Sequence, residues 1–412
     1  MNNNVNKAHQ ALQHDLCDHC LGRLFAQVDT GITNEERGQN MRMALALDLG
    51  ARGEELPPHE SCWLCDDLFE QLARFAEAAI NELSEIEYDT FLIGTRIDPI
   101  LQDREEQLWS EVGGETAEPI KSELNREIGK LVEASVRKEV DFTSPNVVAL
   151  IDTRFGHVEL NITPIFIYGR YRKFSREIPQ TRWPCRACRG KGCKRCKDTG
   201  KMYETSVQEI IGDPLVEEVG GKDHFFHGMG REDVDARMLG TGRPFVLEIA
   251  EPRKRRIDFK AIENIVNKNG EGLADFSGLR WSAREEVRQI KALAPDKVYR
   301  VEVSVQGKVN KERIDEVIES LNQARITQQT PTRVVHRRAD LARERTIREL
   351  AIESLDEDKF ILRMRTESGT YVKEFISGDG GRTRPSVANA IGVPCQVTAL
   401  DVIQIIDDNN EG

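Results

Sequence analysis

The sequence predicts an α+β protein of two or three domains: a mixed α/β region first, then a sheet-rich region with helices packed on it. Three observations carry that expectation. A chain of 412 residues exceeds one typical domain of about 100–150 residues. Runs with apolar residues at helical spacing are interspersed with runs that alternate polar and apolar, the two periods of helix and half-buried strand. Eight of the nine cysteines fall in four Cys-x-x-Cys pairs, which in a reducing compartment point to metal or redox chemistry rather than disulfides.

Residues 1–65 read as short helices around the first cysteine pairs. The run DDLFEQLARFAEAAINELSEI, 66–86, has helical apolar spacing, TFLIGTRI (90–97) reads as a strand, and 104–140 as one or two charged helices broken near Gly113-Gly114. NVVALIDT (146–153) and HVELNITPIFIYGRYRKF (157–174) read as strands. The basic, aromatic stretch FIYGRYRKFSREIPQT ends this region; its Arg and Lys can meet phosphates, and Tyr168, Tyr171 and Phe174 either stack bases or pack a core. Beyond about 202, KMYETSVQEII, RPFVLEIAEP and KVYRVEVSV read as β-like runs and KERIDEVIESLNQA as a helix.

The pairs Cys185/Cys188 and Cys193/Cys196 stand close together with Gly190 and Gly192 between them, the pattern of two zinc knuckles completing one four-thiolate site. Cys17/Cys20 and Cys62/Cys65 lie far apart in the chain, so a second shared zinc there requires the fold to bring them together. Four thiolates leave no open position for substrate, so both zincs are expected to be structural. His19 is read as a bystander, and Cys395 stands alone.

The net charge of −12 hides strong local positive fields. Between Arg170 and Lys201 there are twelve Lys/Arg against Glu177 and Asp198, and further basic clusters occupy 253–256 and 333–348. Such runs favour a polyanionic partner. No apolar run approaches the roughly 18 residues of a membrane span, and the first residues lack the apolar core of a secretory signal; a cytoplasmic protein without a membrane partner is expected. Gly228-Met229-Gly230 and Gly240-Thr241-Gly242 lack the third glycine of a dinucleotide loop, and GKGC (190–193) is not a P-loop, so no nucleotide cofactor is expected.

Three segments carry the chemistry: GMGREDVDARMLGTGRPFVLEI (228–249), KVYRVEV (297–303) and RMRTESGTYVKEFISGDGGRTRPSVANAIG (363–392). The first packs glycines, an arginine and two close aspartates, Asp233 and Asp235, between strand-like runs; on a strand both carboxylates would share a face. Together they resemble the motif set of pseudouridine synthases. They look like the archaeal and eukaryotic stand-alone synthases of tRNA uridines 54 and 55, with an N-terminal THUMP domain. GREDVDARMLGTGRPFVLE, QQTPTRVVHRRADLARER (328–345) and GTYVKEFISGDGGRT (369–383) are the long matches, and the second cysteine cluster resembles the archaeal branch.

The resemblance implies a zinc knuckle region at 1–65, a THUMP-like α/β RNA-binding domain at 66–180, a four-cysteine knuckle at 181–202, and a synthase domain at 203–412 with a mixed, mainly antiparallel sheet. Asp233 is the implied nucleophile. Tyr299 of the K-x-Y motif is expected to stack on the uracil and Tyr371 to line its pocket. Lys373 stands where the bacterial enzyme has an arginine paired with the aspartate; Arg231 is the rival for that role. The implied partner is tRNA, the implied state a monomer, and the reaction needs no cofactor beyond structural zinc. A non-catalytic zinc RNA-binding protein, or another THUMP-bearing tRNA-modifying enzyme, is the alternative.

Overall fold

Thr163 and Pro164 divide a stretch that the sequence reads as one strand. A computed structural model describes residues 3–28, 30–56, 60–307, 311–337, 339–356 and 358–407. It resolves into two compact units, residues 1–163 with 253–255, and residues 164–252 with 256–412. Strand periodicity says which face of a segment is apolar but not which sheet it joins. The basic, aromatic stretch from 165 onward belongs to the second unit, so the division falls at 163/164 rather than at 180.

The first unit begins with α1 (Asn3–Ala11), α2 (Asp18–Arg23) and α3 (Asn34–Gly50), the last started by a capping box of Thr33 and Glu36. Next come α4 (Leu72–Leu83), β1 (Thr90–Arg96), α5 (Pro99–Val112), α6 (Ile120–Val136), β2 (Glu139–Val140), β3 (Val147–Asp152) and β4 (His157–Ile162). Asp98 caps α5 through the Ile100 N–H, with Pro99 at the first helical position. The sheet order is β2-β1-β3-β4, parallel except for the β3–β4 pair. Phe75 of α4, Phe91 of β1, Leu124 and Ile128 of α6 and Val147 of β3 are fully buried, and Cys20, Cys62 and Cys65 join the same core.

The second unit contains β5 (Ile165–Lys173), α7 (Val207–Val219), β6 (Asp223–Gly228), β7 (Ala236–Ala250), α8 (Phe259–Asn269), β8 (Ala274–Ser282), α9 (Arg284–Ala292) and β9 (Lys297–Val305). It continues with α10 (Lys311–Leu321), β10 (Arg325–Gln329), β11 (Ala342–Leu355), β12 (Lys359–Thr366), α11 (Val372–Ser377), β13 (Thr383–Arg384), α12 (Val387–Ile391) and β14 (Cys395–Ile405). One 10-stranded sheet runs β13-β10-β11-β12-β9-β14-β7-β5-β8, with β6 on β7. Within this sheet, among the described residues, only the β14–β7 pair is parallel, so the sheet is mixed and mainly antiparallel, as expected. The β-like run KMYETSVQEII holds no strand, and its second half, from Val207, is the start of α7: Ser206 caps it by accepting from the Glu209 N–H, and the cap outweighs the β-branched residues.

β7 changes partners along its length. Residues 236–238 pair with β14, and the strand then bends at Gly240 before joining β5 and β6. Gly240 has φ +62°, and a Cβ there would stand 2.0 Å from the Ile403 carbonyl oxygen, so only glycine fits. The bend brings the loop between β6 and β7 to the part of the sheet where β14 and β9 run side by side.

Candidate active site

That loop, residues 229–235, carries both aspartates. They sit in a turn ahead of β7, so the shared face that a strand would give them does not arise. Gly230 opens the turn with φ +80°, and a Cβ there would lie 3.1 Å from Arg243 Nη1. Glu232 points inward: its carboxylate accepts from the Tyr171 hydroxyl at 3.0 and 2.8 Å and from Arg243 Nε at 3.0 Å, all three side chains being buried. Burial opposes the Arg243 charge, but the adjoining Glu232 outweighs it and raises its pKa. Burial, then Glu232, pushes the Tyr171 phenol well above its ordinary value, so Tyr171 donates as a neutral hydroxyl.

The loop backbone is held just as closely. Arg243 Nη1 donates to the Met229 carbonyl (2.7 Å), Gln180 Nε2 to that of Gly230 (3.0 Å), Lys173 Nζ to that of Val234 (2.7 Å) and Arg176 Nη1 to that of Asp235 (2.9 Å). Lys173 is fully buried, and burial lowers its pKa to about 8. The segment read as a phosphate-binding face is therefore in large part a brace for the loop, with Tyr171 in the core.

Asp233 is about one-third exposed, at the wall of a cleft of about 430 Å³, within the size range of small-ligand sites. Arg333 reaches it with two guanidinium nitrogens, Nη1 to Oδ1 and Nη2 to Oδ2, each at 3.2 Å. Lys373 Nζ stands 3.4 Å from Asp233 Oδ2 but 2.7 Å from each oxygen of Asp235. Burial opposes the Asp235 charge, yet Lys373 prevails and lowers its carboxyl pKa. Arg231 lies over the Trp183 ring at 5.1 Å, and both line the cleft.

Tyr299 and Lys297 project from one face of β9 into the cleft. Burial raises the Tyr299 phenol to about 12 and lowers Lys297 to about 8, the latter helped by nearby Arg243. Lys297 Nζ donates to Ser368 Oγ at 3.2 Å. Tyr371 is fixed by Gln328, which accepts from its N–H (2.9 Å) and donates to its carbonyl (3.0 Å). Lys373 and Glu374 follow in the first turn of α11.

The fold thus brings Asp233, Tyr299, Tyr371, Arg231 and Lys373, the residues singled out from sequence, to one cleft. Sequence reasoning missed Arg333, Glu374, Gln328, Glu232 and Arg243. Glu232 is the variable position of the G-R-x-D motif, and Arg333 sits in both a basic run and a matched segment, signals that could have flagged each.

Both cysteine groups also assemble. In each, the four sulfurs lie within 4.8 Å of one another. Cys17 and Cys65 are 3.7 Å apart, Cys188 and Cys196 3.8 Å, Cys193 and Cys196 3.7 Å. Thiolates at about 2.3 Å from a tetrahedral zinc stand about 3.8 Å apart, so both groups fit that ion. His19 instead pairs with Glu123 at 2.8 Å and stacks on Phe69.

Residues 166–407 match the family model "Pus10, C-terminal", and residues 75–152 the model "Pus10 THUMP domain, archaeal". The chain is similar to the tRNA pseudouridine synthase Pus10 of Methanothermobacter marburgensis, 45% identical over 95% of both chains. The synthase of the same name from Methanothrix thermoacetophila is 41% identical over 95% of this chain and 91% of the relative. That from Pyrococcus furiosus is 39% identical over 98% of both.

Proposed function

Because this chain belongs to the Pus10 family and is a pseudouridine synthase, we propose that it isomerises uridine 54, uridine 55 or both in the TΨC loop of tRNA, with Asp233 as nucleophile. The observation that carries the reading is the setting of Asp233. It is the aspartate that opens on the cleft between two cations, while Asp235 is taken up by Lys373.

The reaction breaks the N1–C1′ bond, turns the base and joins C5 to C1′. N1 gains a proton and C5 gives one up, so the step is redox-neutral. Asp233, as a carboxylate, attacks the sugar or the base and holds the intermediate while the base turns. The target nucleotide leaves its stack and enters the cleft, where the neutral Tyr299 ring receives the uracil and Tyr371 closes the wall. Arg343 and Arg345 line the same cleft and serve the flanking phosphates, which position the RNA rather than specify it. The described residues include no helix long and apolar enough to cross a membrane; a cytoplasmic monomer acting on tRNA is the proposed state. Residues 66–163 grip the tRNA body, and residues 203–412 carry out the chemistry. Cys17, Cys20, Cys62 and Cys65 would hold one zinc and Cys185, Cys188, Cys193 and Cys196 another. Each ion would supply cross-linking of the chain, and no catalytic cofactor is invoked.

The test is pseudouridine mapping on unmodified tRNA transcript. Wild type and Asp235→Asn are expected to give product at position 54, 55 or both, and Asp233→Asn none. Product from Asp233→Asn would refute the assignment of the nucleophile.

A further inference from the structure

We propose that Arg333, braced by Glu374, is the positioning pair that orients the Asp233 carboxylate, and that Lys373 is not. The inference rests on Asp233 being the nucleophile. A guanidinium offers a planar fork, and two parallel contacts to one carboxylate fix rotation about the carboxyl bond, which a point charge cannot do. Arg333 makes that fork, with both contacts at 3.2 Å, and spends its third nitrogen, Nε, on Glu374 Oε1 at 2.7 Å. Glu374 is 5% exposed and sits in the first turn of α11, so the brace is rigid.

The backbone under Arg333 is fixed as well. Asp379 Oδ2 accepts from the Thr332 N–H at 2.9 Å, and the Pro331 carbonyl accepts from Val334 and Val335. Thr330, fully buried, bonds the Ala339 carbonyl at 2.7 Å. Lys373 makes its two closest contacts, both 2.7 Å, to Asp235 and stands farther from Asp233. Burial opposes the charge on Arg333, but Glu374 and Asp233 raise its pKa and keep it cationic.

The competing account makes Arg333 a contact for an RNA phosphate, with Glu374 as its idle counter-ion. The two differ most clearly at Glu374. Removing a negative charge beside an RNA site leaves tRNA binding equal or tighter; under the competing account the chemical step is then untouched, whereas a lost brace slows it. Single-turnover rates at saturating tRNA, and tRNA dissociation constants, are measured for wild type, Asp233→Asn, Glu374→Gln, Arg333→Lys and Arg333→Ala. Misplacing a reacting group by about 1 Å costs on the order of 100-fold, so Arg333→Ala is expected to slow the step by about that factor. Arg333→Lys and Glu374→Gln, both conservative enough to keep the fold, are expected to slow it by about tenfold. Dissociation constants should stay within about threefold of wild type. Added guanidinium should restore Arg333→Ala in part and leave Asp233→Asn inactive.

Wild-type rates in Glu374→Gln and Arg333→Lys, with Asp233→Asn inactive, would overturn the positioning pair and leave the nucleophile in place. Weakened binding with an unchanged step in Arg333→Ala would do the same. Product from Asp233→Asn would instead remove the nucleophile reading and this inference with it.

Discussion

The two units bury their strongest chemistry in opposite ways. In the first, three thiols lie inside the apolar core and Cys17 packs against it, with Cys20 and Cys65 fully buried in the same core as Leu16, Leu21 and Leu64. Arg23, also fully buried, pairs there with Glu105 and lies 3.7 Å from the Cys20 sulfur. In the second, the cysteine cluster is a surface knuckle in which Cys188, Cys193 and Cys196 are partly exposed. The interior there holds Arg243, Glu232, Tyr171 and Lys173 instead. Sulfurs contributed by distant parts of the chain can tie a core together, so an ion held there would contribute to the folding of the whole unit. Sulfurs contributed by one short stretch organise only that stretch. Buried charges around the active-site loop serve geometry, since an apolar replacement of the same volume is often no less stable.

That contrast can be broken at four points. The largest effect is expected from Cys20→Ala, which removes one ligand of the core-spanning cluster and should cost unit 1 more than about 5 kcal/mol. Hydrogen exchange in β1 and α6 would report it; retained protection in metal-free protein would mean the cluster is not a core tie. Next, Glu232→Ala strands the Arg243 guanidinium without its partner, at about 3–5 kcal/mol. Denaturant unfolding of unit 2 measures this, and a loss under about 1 kcal/mol would contradict a buried ion pair.

The third is a pH dependence. Burial lowers both Lys173 and Lys297 to about 8 from 10.5. Between those values the unfolded chain keeps protons that the folded chain has released, so these lysines make stability rise with pH across that window. Lys297→Met should flatten the rise by about 1.4 kcal/mol per pH unit; identical slopes would place an ordinary lysine there. The smallest effect is expected from Cys193→Ala, within about 0.5 kcal/mol for unit 2 as a whole, with faster exchange confined to 185–200. A global loss like that of Cys20→Ala would erase the distinction between the clusters.

Local signals made much of the fold legible. The apolar spacing of α4, the break at Gly113-Gly114 between α5 and α6, and the alternation in β1 and β9 each depend on neighbours a few residues away. The start of α7 was legible too, in Ser206-Val-Gln-Glu209, but the β-branched residues around it drew the opposite reading. What could not be read is long-range choice. Nothing local in HVELNITPIFIYGRYRKF says that it serves two sheets, and nothing near Arg333 announces a carboxylate a hundred positions earlier. The cleft shows the same division: Asp233, Tyr299 and Tyr371 are positions of the short motifs, while Glu374, Gln328 and Arg243 lie inside the long matched segments with nothing to mark them as supports.

The brace around the loop grips mainly carbonyl oxygens, those of Met229, Gly230, Val234 and Asp235. Every residue type carries that acceptor, so apart from the inward-turned Glu232 and the glycine that φ +80° demands at 230, the path of the loop is indifferent to its side chains. Replacing Asp233 would leave its cradle standing. The scaffold is therefore a ready host for redesign, in which a different reactive group can be set at the mouth of an unchanged cleft.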